Sequence, residues 1–300
     1  MKVLVTGGAG FIGSHLVKLL ANGGINVRVL DSLIHGQKEG LPKAVEFIQG
    51  DIRDSDAVKH AMQDITHIVH LAALVSVTES MTDPVSTNNV NVAGTENVLF
   101  SARESGAMRF VYATSAAVYG DEPSLPKKES SPLRPLSPYA VSKVINELQS
   151  DMYNRVFGLS TIGLRFFNVY GLGQSGNHPY ASVIPRWIEM LKKEKSITIY
   201  GDGSQTRDFV HVRDVAEAIY SALMSDATGV FNVASGKETS LNDLLLIIKN
   251  KYPKQFEIKN ETARAGDILR SVADISESKR ALSFKPTIEI TNGIEELLIS

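Results

Sequence analysis

Three side chains in this sequence could move a proton together, and one turn could hold a cofactor beside them. Ser137-Pro138-Tyr139-Ala140-Val141-Ser142-Lys143 puts a serine at a helix N-cap and a proline at the first helical position. Tyr139 then falls in the first turn, with Lys143 one turn further on the same face. A phenol titrates near 10, and bringing it to about 7 takes roughly 4 kcal/mol of differential stabilisation. The helix N-terminus supplies about 0.3–1 kcal/mol, so Lys143 and a cationic cofactor ring must supply the rest. Ser115 ends the run Arg109–Thr114, where a hydroxyl can hold a substrate oxygen and pass its proton towards Tyr139. Alone, Tyr-x-x-x-Lys is common by chance and reads as a solvated helix face; the turn upstream gives it weight.

That turn is Thr6-Gly7-Gly8-Ala9-Gly10-Phe11-Ile12-Gly13, which contains Gly-x-x-Gly-x-x-Gly and Gly-x-Gly-x-x-Gly directly after a strand and before a helix. Gly7, Gly10 and Gly13 permit the tight bend, let the backbone approach a pyrophosphate and let helix pack on strand, while the helix N-terminus offers unpaired N–H groups to the anion. Asp31 ends the next strand, where a carboxylate accepts hydrogen bonds from an adenosine ribose. Its charge, with Ser32 and no cation beside it, favours NAD over NADP. Asp51 either meets the adenine amino group or caps the helix Asp54–Met62.

The elements that must position these residues alternate. Lys2–Thr6, Val27–Asp31, Val45–Gln49, His67–Ala72, Arg109–Ser115 and Thr161–Phe166 read as strands separated by helical stretches. The expected fold is therefore α/β, a doubly wound parallel sheet of the Rossmann type, with a smaller C-terminal α/β lobe. The division expected is 1–166 plus about 205–225 for the NAD-binding domain, and about 167–204 and 226–300 for the lobe. Phe209–Val212 and the helix-like Val215–Leu223 could return to the first sheet, whereas Gly229–Val233 reads as lobe. Pro123 to Pro138 carries five of the eleven prolines and reads as a stiff loop beside the site.

Composition narrows the class. The chain has 300 residues, 43% hydrophobic and 21% charged, with a formal net charge of -2, which suggests neither a nucleic-acid nor a membrane surface. The absence of cysteine removes disulfides and thiolate chemistry and suits a reducing cytoplasm. The glycine turn follows too few apolar residues for a signal peptide, and no apolar run approaches the roughly 20 residues that span a bilayer. No metal is expected: the seven histidines show no metalloenzyme spacing, and His67 and His70 read as structural.

Together these motifs resemble the extended short-chain dehydrogenase/reductase family, and within it the UDP-glucose/UDP-N-acetylglucosamine 4-epimerases. The likeness also covers His70-Leu71-Ala72-Ala73, Asn91-Val92-Ala93-Gly94-Thr95, Leu164-Arg165-Phe166-Phe167-Asn168, Arg207-Asp208-Phe209 and Arg264-Ala265-Gly266-Asp267. It implies that Phe11, Ile12, Asp31, Asp51, Ile52, Leu71, Ala72, Ala73, Asn91, Lys143 and Phe167 line an NAD site, with Ser115 and Tyr139 catalytic. It further implies that Asn168, Arg207 and Arg264 meet a nucleotide diphosphate, that Thr198–Tyr200 flank the base, that Asp267 meets the ribose, and that Val183 also binds the substrate. Ser271 stands where relatives restricted to unacetylated sugars tend to carry tyrosine. The implied reaction is 4-epimerisation of a nucleotide sugar, UDP-glucose/galactose or the N-acetylated pair, through a 4-keto intermediate. A homodimer paired through helices at about Thr95–Ser105 and Tyr139–Phe157 is also implied.

Other outcomes share this chemistry. Dehydratases of the same fold typically carry Asp-Glu after the site hydroxyl, and the decarboxylases a Glu at the second position; Ala116-Ala117 offers only methyl groups. A 4-keto-sugar reductase using NAD(P)H is the main alternative, and a non-catalytic NAD-sensing scaffold is the alternative of another class.

Overall fold

A computed structural model of the chain describes residues 1–176, 181–263 and 268–300. His178, Arg264 and Asp267 lie outside the described residues. The first half runs β1 (Lys2–Thr6), α1 (Phe11–Asn22), β2 (Asn26–Asp31), β3 (Glu46–Gln49), α2 (Ser55–Ala61), β4 (His67–His70), α3 (Val77–Thr82), α4 (Pro84–Asn88), α5 (Thr95–Glu104), β5 (Arg109–Ser115), α6 (Pro138–Phe157) and β6 (Thr161–Phe166). There follow β7 (Asn168–Tyr170), α7 (Val183–Lys192), β8 (Ile197–Tyr200), β9 (Thr206–Arg207), β10 (Phe209–His211), α8 (Val212–Met224), β11 (Gly229–Val233), β12 (Thr239–Ser240), α9 (Leu241–Lys251), β13 (Ile258–Glu261), α10 (Ser276–Leu282) and α11 (Ile290–Ile299).

Seven strands form one sheet in the order β11-β6-β5-β4-β1-β2-β3, and every pairing in it is parallel. This is the expected doubly wound α/β arrangement. Its strands are nearly continuous apolar runs because both faces are covered, and Val3, Leu4 and Val5 of β1 are fully buried. On one face Leu16, Val17 and Leu20 of α1 pack with Val215, Ile219 and Leu223 of α8. On the other, Val58 of α2 and Val98 and Leu99 of α5 meet Leu4, Ile68 and Phe110. The order reverses between β1 and β4, so the crevice for a ligand opens at the carboxyl ends of those strands.

Two expectations for the later chain change. Gly229–Val233 is not part of the smaller lobe: as β11 it extends the main sheet along β6, residue for residue from Gly229 beside Ile162 to Val233 beside Phe166. Its apolar Phe231 and Val233 are buried in the main core, which a lone strand in the lobe could not match. Phe209–Val212 does not enter the main sheet; β10 pairs with β7, and only α8 returns, to pack on α1. The lobe has its own core, in which Trp187, Ile188, Ile197, Ile199, Leu244 and Ile294 are buried.

Candidate active site

At the end of β1 the backbone has no room for side chains. Gly7 has φ +69°, and a Cβ there would lie 2.7 Å from the Ala72 nitrogen. A Cβ at Gly13 would lie 2.2 Å from the Gly7 carbonyl oxygen. At Gly10 such a carbon would lie 3.2 Å from the Gly7 carbonyl oxygen, a close but far less severe contact, with no other atom beyond its chain neighbours within 4 Å. Gly10 is the N-cap of α1 and no side chain caps the helix, which leaves the first N–H groups, at Phe11 and Ile12, for an anion. The cradle therefore fits a dinucleotide pyrophosphate.

Asp31 is buried, and its carboxylate accepts the N–H groups of Ala9 (2.9 Å) and Leu33 (2.8 Å). It braces the glycine turn, and its remaining lone pairs suit ribose hydroxyls. Asp51 does not cap α2; Asp54 does, accepting from Asp56 and Ala57. Asp51 is instead held by Arg53 at 2.7 Å, and that guanidinium keeps its carboxyl below the usual range. Ile52 is buried under the α-carbon of Gly94, where a Cβ would meet its side chain.

Leu71, Ala72 and Ala73 follow β4, and no local pattern hints at what secures them. The Leu71 N–H donates to the Thr6 carbonyl and the Ala72 N–H to Thr6 Oγ1. Thr95 Oγ1 donates to the Asn91 carbonyl, so it must accept from His70 Nε2–H at 2.9 Å. His70 Nδ1 is then the acceptor for the Thr6 hydroxyl at 2.7 Å. Burial pushes this imidazole down to about 3, so it stays neutral, as a structural histidine should. Asn91, fully buried in the wide helical turn before α5, exchanges both hydrogen bonds with the Leu74 backbone and donates to Ser142 Oγ at 3.0 Å. It braces the loop after β4 from behind. Phe167 packs against Tyr119 and Val118 below the crevice.

Ser137 caps α6 by accepting the Ala140 N–H at 3.1 Å, with Pro138 first in the helix and Tyr139 in its opening turn. Tyr139 and Lys143 are buried, and the Lys143 amine donates to the Ala113 carbonyl at 3.0 Å while lying 5.9 Å from the Tyr139 ring centre. α6 thus brings both to the end of β5, where Ser115 stands. Burial holds the Tyr139 phenol above its ordinary value, with a hydrogen bond from Ser115 pulling the other way. The Lys143 amine is pushed down to about 8 by burial, opposed by Glu147. The groups around the phenol thus favour its protonated form.

Towards the lobe the partners are mostly backbone. Asn168 is half-buried at the start of β7, and Arg207 on β9 donates to the carbonyls of Thr206 (2.8 Å) and Ile268 (2.6 Å). Thr198 and Tyr200 lie on β8, paired with Lys259 and Glu261 of β13, and Val183 opens α7. Ser271 is half-buried between Arg270, which pairs with Glu238, and Val272, whose carbonyl accepts the Lys127 N–H. Sequence reasoning missed Asp208, a buried carboxylate next to Arg207 that accepts from Ser235, Gly236 and the N–H of Ala273. It pins the backbone two residues from Ser271.

Residues 3–234 match the family model "NAD dependent epimerase/dehydratase family". The chain belongs to this family. Its cofactor is NAD, in keeping with the cradle at Gly7–Gly13. A UDP-glucose 4-epimerase of Mycolicibacterium smegmatis is 37% identical over 98% of this chain and 96% of its own length. Among solved structures, the UDP-N-acetylglucosamine 4-epimerase of Methanobrevibacter ruminantium, in complex with UDP-N-acetylmuramic acid, superposes with a TM-score of 0.96 at 37% identity, covering 99% of this chain and 97% of that one. The UDP-glucose 4-epimerase of Thermus thermophilus in complex with NAD gives 0.92 at 38% identity, covering 100% and 98%. Among the described residues, no helix is long and apolar enough to cross a membrane.

Proposed function

We propose that the chain interconverts UDP-hexoses at C4 with no net oxidation. The observation that carries this reading is the end of β5: Ser115 stands beside the Tyr139 phenol, and Ala116 and Ala117 follow, so a proton can be moved at one carbon while these two methyl side chains offer no acid–base group to eliminate water. When bound, NAD supplies the hydride acceptor and later the donor. Gly7, Gly10, Gly13, Phe11, Ile12, Asp31 and Asp51 hold its adenosine diphosphate half; Leu71–Ala73 and Lys143 flank the rest. Tyr139 as phenolate takes the 4-hydroxyl proton, with Ser115 holding the oxygen, and a 4-keto sugar results. Asn168, Arg207, Arg264 and Asp267 keep the nucleotide diphosphate anchored while the sugar turns, a use of binding energy remote from the reacting carbon. Tyr139 then returns the proton with the opposite face presented.

The half-buried Ser271 leaves space for an acetamido group, so we assign N-acetylhexosamines to the substrate range alongside glucose and galactose. Val141, Leu148, Val156 and Phe157 of α6 and Phe100 of α5 are exposed apolar side chains on the two long helices, and they support a homodimer formed there. The test incubates purified protein with UDP-glucose, UDP-galactose and their N-acetylated analogues and resolves products by chromatography. Epimers without net change at the NADH absorbance band support the reading, net consumption of NADH with a keto-sugar identifies a reductase, and loss of water identifies a dehydratase.

A further inference from the structure

We propose that Glu147 is a positioning residue of this active site, clamping the strand end that carries Ser115 to the turn of α6 that carries Lys143. The inference rests on the roles given above to Ser115, Tyr139 and Lys143. Glu147 follows Lys143 by one helical turn and is buried. Its Oε1 accepts from Thr114 Oγ1 at 2.8 Å and from Arg165 Nε at 2.9 Å, and its Oε2 accepts from Arg165 Nη2 at 2.7 Å. Thr114 and Arg165 are register partners across β5 and β6, so one carboxylate ties a helix to two strands. Two consecutive residues at the end of β5 are thereby attached to two positions of α6, Ala113 to Lys143 and Thr114 to Glu147, and Ser115 follows them beside Tyr139.

A buried ion pair is a poor device for stability alone, since apolar residues of similar volume often do as well. What it supplies here is direction and charge. Arg165 also donates to Tyr119 Oη (2.9 Å) and to the Glu129 carbonyl (3.0 Å). Tyr119 donates to Asn232 Oδ1 at 2.6 Å, and Asn232 donates to the carbonyls of Lys127 (3.0 Å) and Asp274 (3.1 Å), next to the segment that holds Ser271. The clamp is thus continuous with one wall of the substrate lobe. Towards Lys143, the titratable neighbours are Tyr139 and Glu147 on its own helix and the neutral His70 from β4; Tyr112 of β5, kept protonated by burial, and Arg165 of β6 face Glu147. Glu147 is the one group among them that favours the charged amine, so its removal lets the amine lose its proton at lower pH.

The test uses the full chain carrying Glu147→Gln, Glu147→Asp or Thr114→Val. It reads kcat and KM against pH for the UDP-hexose turned over, and the ¹³Cε resonance of Lys143, assigned by its loss in Lys143→Arg. For Glu147→Gln the Lys143 midpoint falls by about one pH unit. The alkaline limb of kcat follows it, with kcat near pH 8 down about fivefold and KM changed less than about twofold. Glu147→Asp and Thr114→Val keep the charge but break the contact to β5, so the midpoint holds while kcat falls several-fold. A folded Glu147→Gln with wild-type midpoint and wild-type kcat overturns the proposal. If Glu147→Gln does not fold, wild-type kcat in Glu147→Asp and Thr114→Val does so instead. A wild-type protein that turns over no nucleotide sugar refutes the epimerase reading, while the Lys143 resonance still decides whether Glu147 sets the amine's charge.

Discussion

Gly10 and Gly13 occupy the same turn, yet replacing each by alanine should have opposite consequences. A methyl at Gly13 would sit 2.2 Å from the Gly7 carbonyl oxygen and 2.7 Å from the Gly8 α-carbon, both backbone atoms, and Gly7 is itself tied by its N–H to the Leu30 carbonyl. Forcing these apart costs about 3 kcal/mol, of which better helix propensity returns about 1. The net loss of about 2 kcal/mol lowers the melting temperature by roughly 3 °C in a chain of this length. At Gly10 the backbone (φ -77°, ψ 179°) suits alanine, and the only atom within 4 Å is at 3.2 Å. Stability should change by no more than about 1 kcal/mol. The proposed pyrophosphate site lies at this same turn, so the added methyl is expected to crowd it. Losing two charge-assisted backbone bonds at about 1.5 kcal/mol each weakens NAD by roughly 100-fold or more. Thermal melts and calorimetric titration of NAD into cofactor-stripped protein measure the two effects separately. A Gly10→Ala protein that binds NAD like the wild type would refute the placement of the pyrophosphate at α1.

Tyr139→Phe removes the proton carrier but not the cofactor cradle, so kcat falls by roughly 10²–10⁴-fold while NAD affinity holds; wild-type turnover would sink the phenolate role. Ser271→Tyr should abolish turnover of the N-acetylated sugars and spare the plain ones, and an equal loss of both would contradict the space assigned to the acetamido group. His70 titrates near 3 in the fold and near 6.5 when unfolded, so the unfolded chain binds the extra proton between these values and stability falls as pH drops through that window. From pH 7 to 5 this histidine accounts for about 2 kcal/mol, and urea unfolding of His70→Gln should show a loss smaller by that amount. An unchanged slope would place the pH sensitivity elsewhere.

Much of the sheet is legible in the sequence because its information is local. β5, β6 and β8 begin and end where alternation of apolar runs and turn residues places them, and β1 is marked by the glycine turn that follows it. Gly229–Val233 reads as part of the wrong body for a physical reason. A short β-branched strand looks the same in either sheet, and what decides is its pairing with β6, more than sixty residues earlier in the chain. The same holds for Phe209–Val212, whose partner β7 is too short to be marked by its own pattern.

The site divides along the same line. Ser115 at a strand end, and Tyr139 and Lys143 one turn apart under a Ser-Pro cap, announce themselves because spacing along a single element fixes their geometry. The groups that tune them do not. Glu147 looks like any helix-face glutamate until β6 brings Arg165 against it, and Asp208 looks like an ion-pair residue until it is seen accepting four bonds from two other segments. The proposed substrate contacts are harder still, since Arg207 and Ser271 take their surroundings from loops that meet only in the folded lobe. Sheet, cradle and proton carrier need only local instructions, so relatives can keep them and still diverge in reaction. On the reading proposed above, the outcome then turns on the small side chains that follow Ser115, here Ala116 and Ala117, and the sugar on the long-range contacts that set the backbone around Ser271.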